Sequence, residues 1–163
     1  MIKNTKSRDF SNLWSRPGYL VRRLHQIHVA MFLEECDEFN LTPVQFGVLT
    51  VLYDQETLDQ VTIANQLGID RNTAADVIRR LERRGLLERP ASITDKRAKL
   101  ARINDAGREL VDAVQPHMIS TQEKFTRALS DEEHTQLMHL MGKVILDKNE
   151  SSRARWKLNS ESA

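Results

Sequence analysis

The sequence predicts a mainly α fold of the α+β type, in which a helix-turn-helix is followed by a β-hairpin. Three observations predict it. Apolar residues recur at helical spacing over most of the chain. A short helix, a glycine turn and a longer capped helix follow one another in "VTIANQLGIDRNTAADVIRRLERRGLLER". Two β-compatible runs, "LLERPASI" and "AKLARI", flank a polar turn and lead into another long helix. A length of 163 residues suits one domain with helical extensions.

The first helix is expected from about Pro17 to Glu38, with Pro17 in a first-turn position where its missing N–H costs nothing. Leu20, Leu24, Ile27 and Met31 form one stripe, and Val21, His25, His28 and Phe32 a second beside it. That is a wider apolar face than one packing partner requires. Thr42, Pro43 and Gln45 then spell an N-cap, first-turn proline and capping box for a helix carrying Phe46, Leu49, Val51, Leu52 and Tyr53. Thr62 is expected to cap a short helix ending near Gly68. Asp70 is expected to cap a second one, Arg71 to Arg84, stopped by Gly85, with Ala74, Val77, Ile78 and Leu81 facing inward.

After the hairpin, whose turn lies at Thr94–Lys96, Asn104 caps a long helix that Pro116 is expected to kink or break. The last helix starts at Ser130 with Glu133 as capping-box partner. It is expected to bury Leu137, Leu140, Met141, Val144 and Ile145. The organisation that results is an N-terminal arm and helix (1–40), a DNA-binding region (41–104), C-terminal helices (105–147) and a loose tail (148–163). The whole reads as a winged helix-turn-helix whose N- and C-terminal helices form a dimerisation bundle.

Charge is segregated, although the formal net charge is only +1. From Leu24 to Asp70 there are eight acids and no lysine or arginine; from Arg71 to Arg102 there are ten bases and four acids. A basic middle in a neutral chain points to one face built for a polyanion. Arg71, Asn72, Thr73 and Asp76 stand at the start of the second helix of the pair, where base edges are read; arginine matches guanine, asparagine adenine, and threonine a thymine methyl. Arg79, Arg80 and Arg83 lie further along and suit phosphate. Thr62, at the start of the first helix of the pair, joins the candidate DNA contacts, as do Asp95, Lys96, Arg97 and Lys99 of the wing.

The stretches "TPVQFGVLTVL", "VTIANQLGIDRNTAADVIRRLERRGLLER" and above all "DKRAKLARINDAGREL" resemble the MarR family of winged-helix regulators. The resemblance covers about Trp14 to Asp147. It implies a homodimer held by the terminal helices, a pseudo-palindromic operator, repression, and release by a small ligand. It also implies that Arg97 enters the minor groove while Asp95 aims its guanidinium. On the residues alone, Asp95 also suits the start of the turn.

The segment "WSRPGYLVRRLHQIHVAMF" carries groups suited to an aromatic acid. Trp14 and Tyr19 offer stacking, Arg22 or Arg23 a carboxylate partner, and His25 and His28 hydrogen bonds to a ring hydroxyl. It resembles the first helix of family members that sense hydroxybenzoate, hydroxycinnamate or hydroxynicotinate acids, or their CoA thioesters, and control aromatic catabolism. The alternative is that these residues hold the dimer. Other inputs are a metal, at His25, His28, Glu35 and Cys36, or an oxidant at Cys36, although the acids around that thiol disfavour the thiolate. A sequence-blind architectural DNA-binding protein is the remaining alternative. No nucleophile–base pattern, phosphate loop or clustered metal motif appears, so neither an enzyme nor a cofactor is expected. No apolar run is long enough to span a membrane, and "MIKNTKSRDFSNLW" does not resemble a signal peptide. With Cys36 the single cysteine, the cytoplasm is the expected location.

Overall fold

The computed structural model describes residues 9–91 and 99–152. Six α-helices and three short strands occur among them, in the order α1 (Pro17–Glu35), α2 (Pro43–Gln55), β1 (Thr57–Asp59), α3 (Gln60–Leu67), α4 (Arg71–Arg83), β2 (Leu87–Glu88), β3 (Leu100–Ile103), α5 (Asp105–Thr126) and α6 (Asp131–Lys148). The fold is a winged helix-turn-helix with long helices before and after it.

Local capping chemistry sets most helix starts. Thr42 and Gln45 form the reciprocal capping box of α2, and Ser130 with Glu133 forms that of α6. Asp70 caps α4 and Asn104 caps α5. The start of α3 differs from the sequence expectation. Its cap is Asp59, whose carboxylate accepts from the N–H groups of Val61 and Thr62 at 2.9 and 3.0 Å. Thr62 is not the cap; it sits inside the helix and donates its hydroxyl to Asp59 at 2.6 Å. Aspartate wins because β1 delivers it in extended backbone immediately ahead of Gln60.

Three other expectations shift. The first helix ends at Glu35, and Asp37–Phe39 form a separate 3₁₀ turn closed by Asn40 at φ 49°. Of the kink or break expected at Pro116, the break does not occur: α5 runs from Asp105 to Thr126 with the proline inside it. Pro116 lies on the exposed side of the helix. The apolar residues of α6 are not buried within the chain: Val144 is 64% exposed, Met138 52% and Leu140 50%.

The core surrounds α2. Phe46, Val48, Leu49 and Leu52 are buried, with Phe32 from α1, Ile63 from α3, Ile78 and Leu81 from α4, Ala101 and Ile103 from β3, and Val111 and Val114 from α5. The sheet has the order β1-β3-β2, both pairings antiparallel. The β2–β3 pairing is the expected one, with Leu87 opposite Ile103 and an isolated bridge joining Ala91 to Lys99, while the turn expected at Thr94–Lys96 lies outside the described residues. β1 was not foreseen: it adds to β3 with Leu58 opposite Ala101 and ties the helix pair to the wing.

Gly107 is where α5 crosses the root of the wing. A Cβ there would lie 2.2 Å from the Leu86 carbonyl oxygen and 2.7 Å from an Ile103 carbon. Asn104 secures the same crossing, accepting from the Gly107 N–H at 3.0 Å and donating to the Gly85 carbonyl at 2.9 Å. Gly107→Ala must push α5 off backbone atoms, so a loss of about 1–3 kcal/mol is expected in urea unfolding. An unchanged midpoint would mean the crossing is looser than described.

Candidate nucleic-acid interface and effector site

The α3–α4 pair and the wing sheet place the basic face. Gly68, at φ 63°, ends α3 in the left-handed conformation that the tight turn requires. Two residues later the Asp70 carboxylate accepts from the N–H groups of Asn72 and Thr73 at 3.0 and 2.9 Å. It also takes the Thr73 hydroxyl at 2.6 Å. The Thr73 hydroxyl, followed by the backbone N–H groups, holds the Asp70 carboxyl below its ordinary pKa. Burial pushes Asp59 up, but the Thr62 hydroxyl and the backbone N–H groups of Thr62 and Val61 outweigh it and leave that carboxyl lowered too.

Thr73, half-buried and bonded to Asp70, offers its methyl more readily than its hydroxyl. Arg71, Asn72, Asp76, Arg79, Arg80 and Arg83 are exposed on α4, opposite the buried Ala74, Ile78 and Leu81. Asp76 pairs with Arg79 one turn on, which orients that guanidinium along the helix. Thr62 is half-buried, and its hydroxyl already serves Asp59.

On the wing, Lys99 is exposed and its carbonyl accepts from the Gln60 N–H at 3.0 Å. Arg102 pairs with Glu88 across the hairpin at 2.8 Å. Asp95, Lys96 and Arg97 lie outside the described residues. Sequence reading missed Arg84, whose guanidinium donates to the carbonyls of Asn40 at 2.7 Å and Phe39 at 3.0 Å. This basic residue, although exposed, ties the end of α4 to the 3₁₀ turn. Its position after the last helical turn was the available signal.

The residues proposed for an effector fall into two groups. Trp14 packs edge-on to Tyr19 at 5.2 Å, and Arg22 lies over the Tyr19 ring at 5.2 Å. Arg23 instead bonds Gln26 at 3.2 Å. His25 and His28 face a different space, a cavity of about 690 Å³ between α1, α5 and α6. Its other walls include Val21, Leu24, Phe125, Leu137, Met138 and Met141, with Gln122 and His134 as polar members. His28 approaches Gln122 at 2.9 Å and packs edge-on to Phe125 at 5.4 Å. Burial, and then the neighbouring His25, lower the His28 pKa and favour its neutral ring. Among the described residues no arginine or lysine lines this cavity.

Cys36 is buried. Burial first, then Glu35 and Glu38, raise its pKa away from a reactive thiolate. Among the described residues no three histidine, cysteine, aspartate or glutamate side chains gather closely enough to hold a metal ion. No helix among them is long and apolar enough to cross a membrane.

An exposed basic helix on a helix-turn-helix, flanked by a three-stranded wing, defines a winged-helix DNA-binding regulator. The chain belongs to the MarR family, whose family pattern matches residues 41–99. It is 30% identical over 133 residues to the transcriptional regulator HosA of Escherichia coli, covering 82% of this chain and 97% of that one. It is 27% identical over 135 residues to the transcriptional repressor NicR of Pseudomonas putida, covering 83% and 85%. Among solved structures it is similar to BpsR of Bordetella bronchiseptica, whose DNA binding is regulated by 6-hydroxynicotinic acid. The two share 32% identity at a TM-score of 0.74, covering 78% of this chain and 96% of that one. The relatives are named as regulators of transcription rather than as enzymes.

Both helix-pair caps are carboxylates with lowered pKa, so their contribution is present above the unfolded value of 3.8 and is lost as pH falls through the lower folded value. Asp59→Asn and Asp70→Asn together keep cap geometry while removing the titration. The double variant is expected to flatten the acid limb of a stability–pH curve below about pH 4. Asp59→Ala, which removes one cap outright, should cost about 1 kcal/mol at neutral pH. An acid limb unchanged in the double variant would refute this assignment.

Proposed function

We propose that this MarR-family protein is a repressor that binds a pseudo-palindromic operator as a homodimer and is released by a small aromatic acid. The observation that carries the DNA part is α4. It presents Arg71, Asn72, Arg79, Arg80 and Arg83 on one exposed face, with its inward face locked in the core. In this reading Arg71, Asn72, Thr73 and Asp76 meet base edges, and Arg79, Arg80, Arg83 and Lys99 meet phosphates. Arg97, aimed by Asp95 and flanked by Lys96, enters the minor groove. Two recognition helices meet half-sites roughly 34–36 Å apart.

The dimer reading rests on the apolar residues that α1 and α6 leave bare. Val21 is 62% exposed, and Leu24, Ile27, Leu140, Ile145 and Leu146 are exposed with it. A continuous apolar face of this kind on helices flanking one cavity calls for cover by a partner surface. A second copy offers the same face, and two-fold pairing is self-complementary.

The aromatic-acid reading draws on BpsR and on the groups at the start of α1. Trp14, Tyr19 and Arg22 supply ring stacking and a guanidinium for a carboxylate, while His25 and His28 supply ring nitrogens one to two turns on. A dimer partner brings further walls to both groups. The genes controlled would then serve aromatic catabolism.

The DNA reading is tested by fluorescence anisotropy with a duplex from upstream of the protein's own gene. With some 6–10 phosphates contacted, affinity should fall about 10³- to 10⁵-fold between about 50 and 200 mM salt. Arg97→Ala should weaken binding and leave the oligomeric state intact. In the same assay one member of a panel of hydroxybenzoates, hydroxycinnamates, hydroxynicotinates and their CoA thioesters should release the duplex. A flat salt response sinks the DNA reading; release by none of the panel sinks the aromatic effector alone. Separately, Val21→Glu with Met138→Glu should give a monomer in light scattering, and a persistent dimer would place the interface elsewhere.

A further inference from the structure

We propose that Gln60 is a positioning residue for operator discrimination: by bonding the wing and the recognition helix together, it fixes how the base-reading end of α4 is presented. The inference rests on the DNA-binding reading above.

The first support is the pair of bonds that Gln60 makes. It is the first residue of α3. Its N–H donates to the Lys99 carbonyl of the wing at 3.0 Å. Its side-chain amide donates to the Arg71 carbonyl at 3.1 Å. Arg71 is the first residue of α4, and both Arg71 and Lys99 are exposed. One half-buried residue therefore joins the start of the recognition helix to the strand side of the wing. Only the NH₂ end of the amide serves here, because the partner is a carbonyl oxygen, which can only accept.

The second support is how firmly the wing is registered on Gln60. The Ile103 N–H donates to the Glu56 carbonyl at 3.2 Å. Thr57, Leu58 and Asp59 then pair with Arg102, Ala101 and Leu100. The bond from Gln60 to Lys99 continues the same antiparallel register by one residue. Asp59 ends β1 and caps α3 through the N–H groups of Val61 and Thr62, so no loop separates the ladder from the helix. At its far end α4 runs through Gly85 into β2. Gln60 supplies the bond at the near end, and the recognition helix is thereby tied to the sheet at both ends.

Phosphate contacts from Arg79, Arg80 and Arg83 tolerate a small displacement of α4. Contacts from Arg71 and Asn72 to base edges do not, since paired hydrogen bonds need both partners in line. Loss of the Gln60 amide should therefore blur sequence reading before it weakens binding as such.

The test compares the full chain, Gln60→Met, Arg71→Ala and the double variant. Methionine keeps the length and helix propensity of glutamine and removes the donor. Each protein is titrated by anisotropy against a duplex that the full chain selects from a random pool, and against a scrambled duplex of equal length and composition. Gln60→Met should lower the selected-to-scrambled affinity ratio about 5- to 10-fold, the scale of one hydrogen bond. Affinity for the scrambled duplex and the slope of log K against log salt should stay as in the full chain. In the Arg71→Ala background the same substitution should cost no more than about twofold, because the contact it aims is already gone. An unchanged ratio would overturn the proposal, whatever happens to the melting temperature. So would equal weakening on both duplexes, the outcome of a purely structural role, or full additivity of the two substitutions. A full chain that selects no sequence from the pool would overturn the operator reading itself, and this inference with it.

Discussion

The packing of five elements against α2 is the constraint on which the rest depends. Phe46, Val48, Leu49 and Leu52 face different neighbours, so α1, α3, α4, α5 and β3 all pack against one thirteen-residue helix. Its polar groups are consumed as thoroughly as its apolar ones. Gln45 is buried and closes the capping box. Tyr53 donates to Asp112 at 2.8 Å, and its carbonyl accepts from Arg108 at 3.2 Å. Interiors this dense transmit displacement rather than absorb it.

The same arrangement explains the charge segregation. Several acids of Leu24–Asp70 serve contacts within the fold, although most of the eight are exposed. Asp59 and Asp70 cap helices. Glu35 holds Lys124 and Ser120 of α5, and the Lys124 ammonium in turn keeps the Glu35 carboxyl low. The bases of the second half mostly face solvent on α4 and the wing. Arg84, exposed like them, also bonds the carbonyls that end the 3₁₀ turn. A net charge near zero thus coexists with a strongly positive face, because the two signs do different work.

Much of the fold was legible in the sequence because its signals are local. The capping box of α2, the Asp70 cap, the Gly85 stop and the Asn104 cap each depend on a few consecutive residues. The Thr62 cap failed for the same reason in reverse. A threonine ahead of a helical run is a fair cap until a strand places an aspartate three residues earlier. β1 itself was hidden, since Thr57–Asp59 is too short for a period-2 pattern and becomes a strand only through pairing with β3. Of the candidate site, the outward side chains of α4 were readable from helical periodicity. The division of the first-helix residues between the Trp14–Tyr19–Arg22 group and the His25–His28 cavity was not, because the cavity's far walls come from α5 and α6.

By itself, then, the sequence determined the order of the helices, most of their caps, the inward stripe of α4 and the position of the positive charge. All are set by spacing, caps and side-chain type over a few turns. Only the tertiary structure decided which apolar faces stay bare, which acid caps α3, and why position 107 tolerates no side chain. Those depend on what lies across a gap: the Leu86 carbonyl under Gly107, the strand opposite β1, and the absence among the described residues of anything to cover α6. Local free energies of capping and turn formation can be read in one dimension. Burial and close contact are properties of pairs of surfaces, and the pairing exists only once the chain has folded.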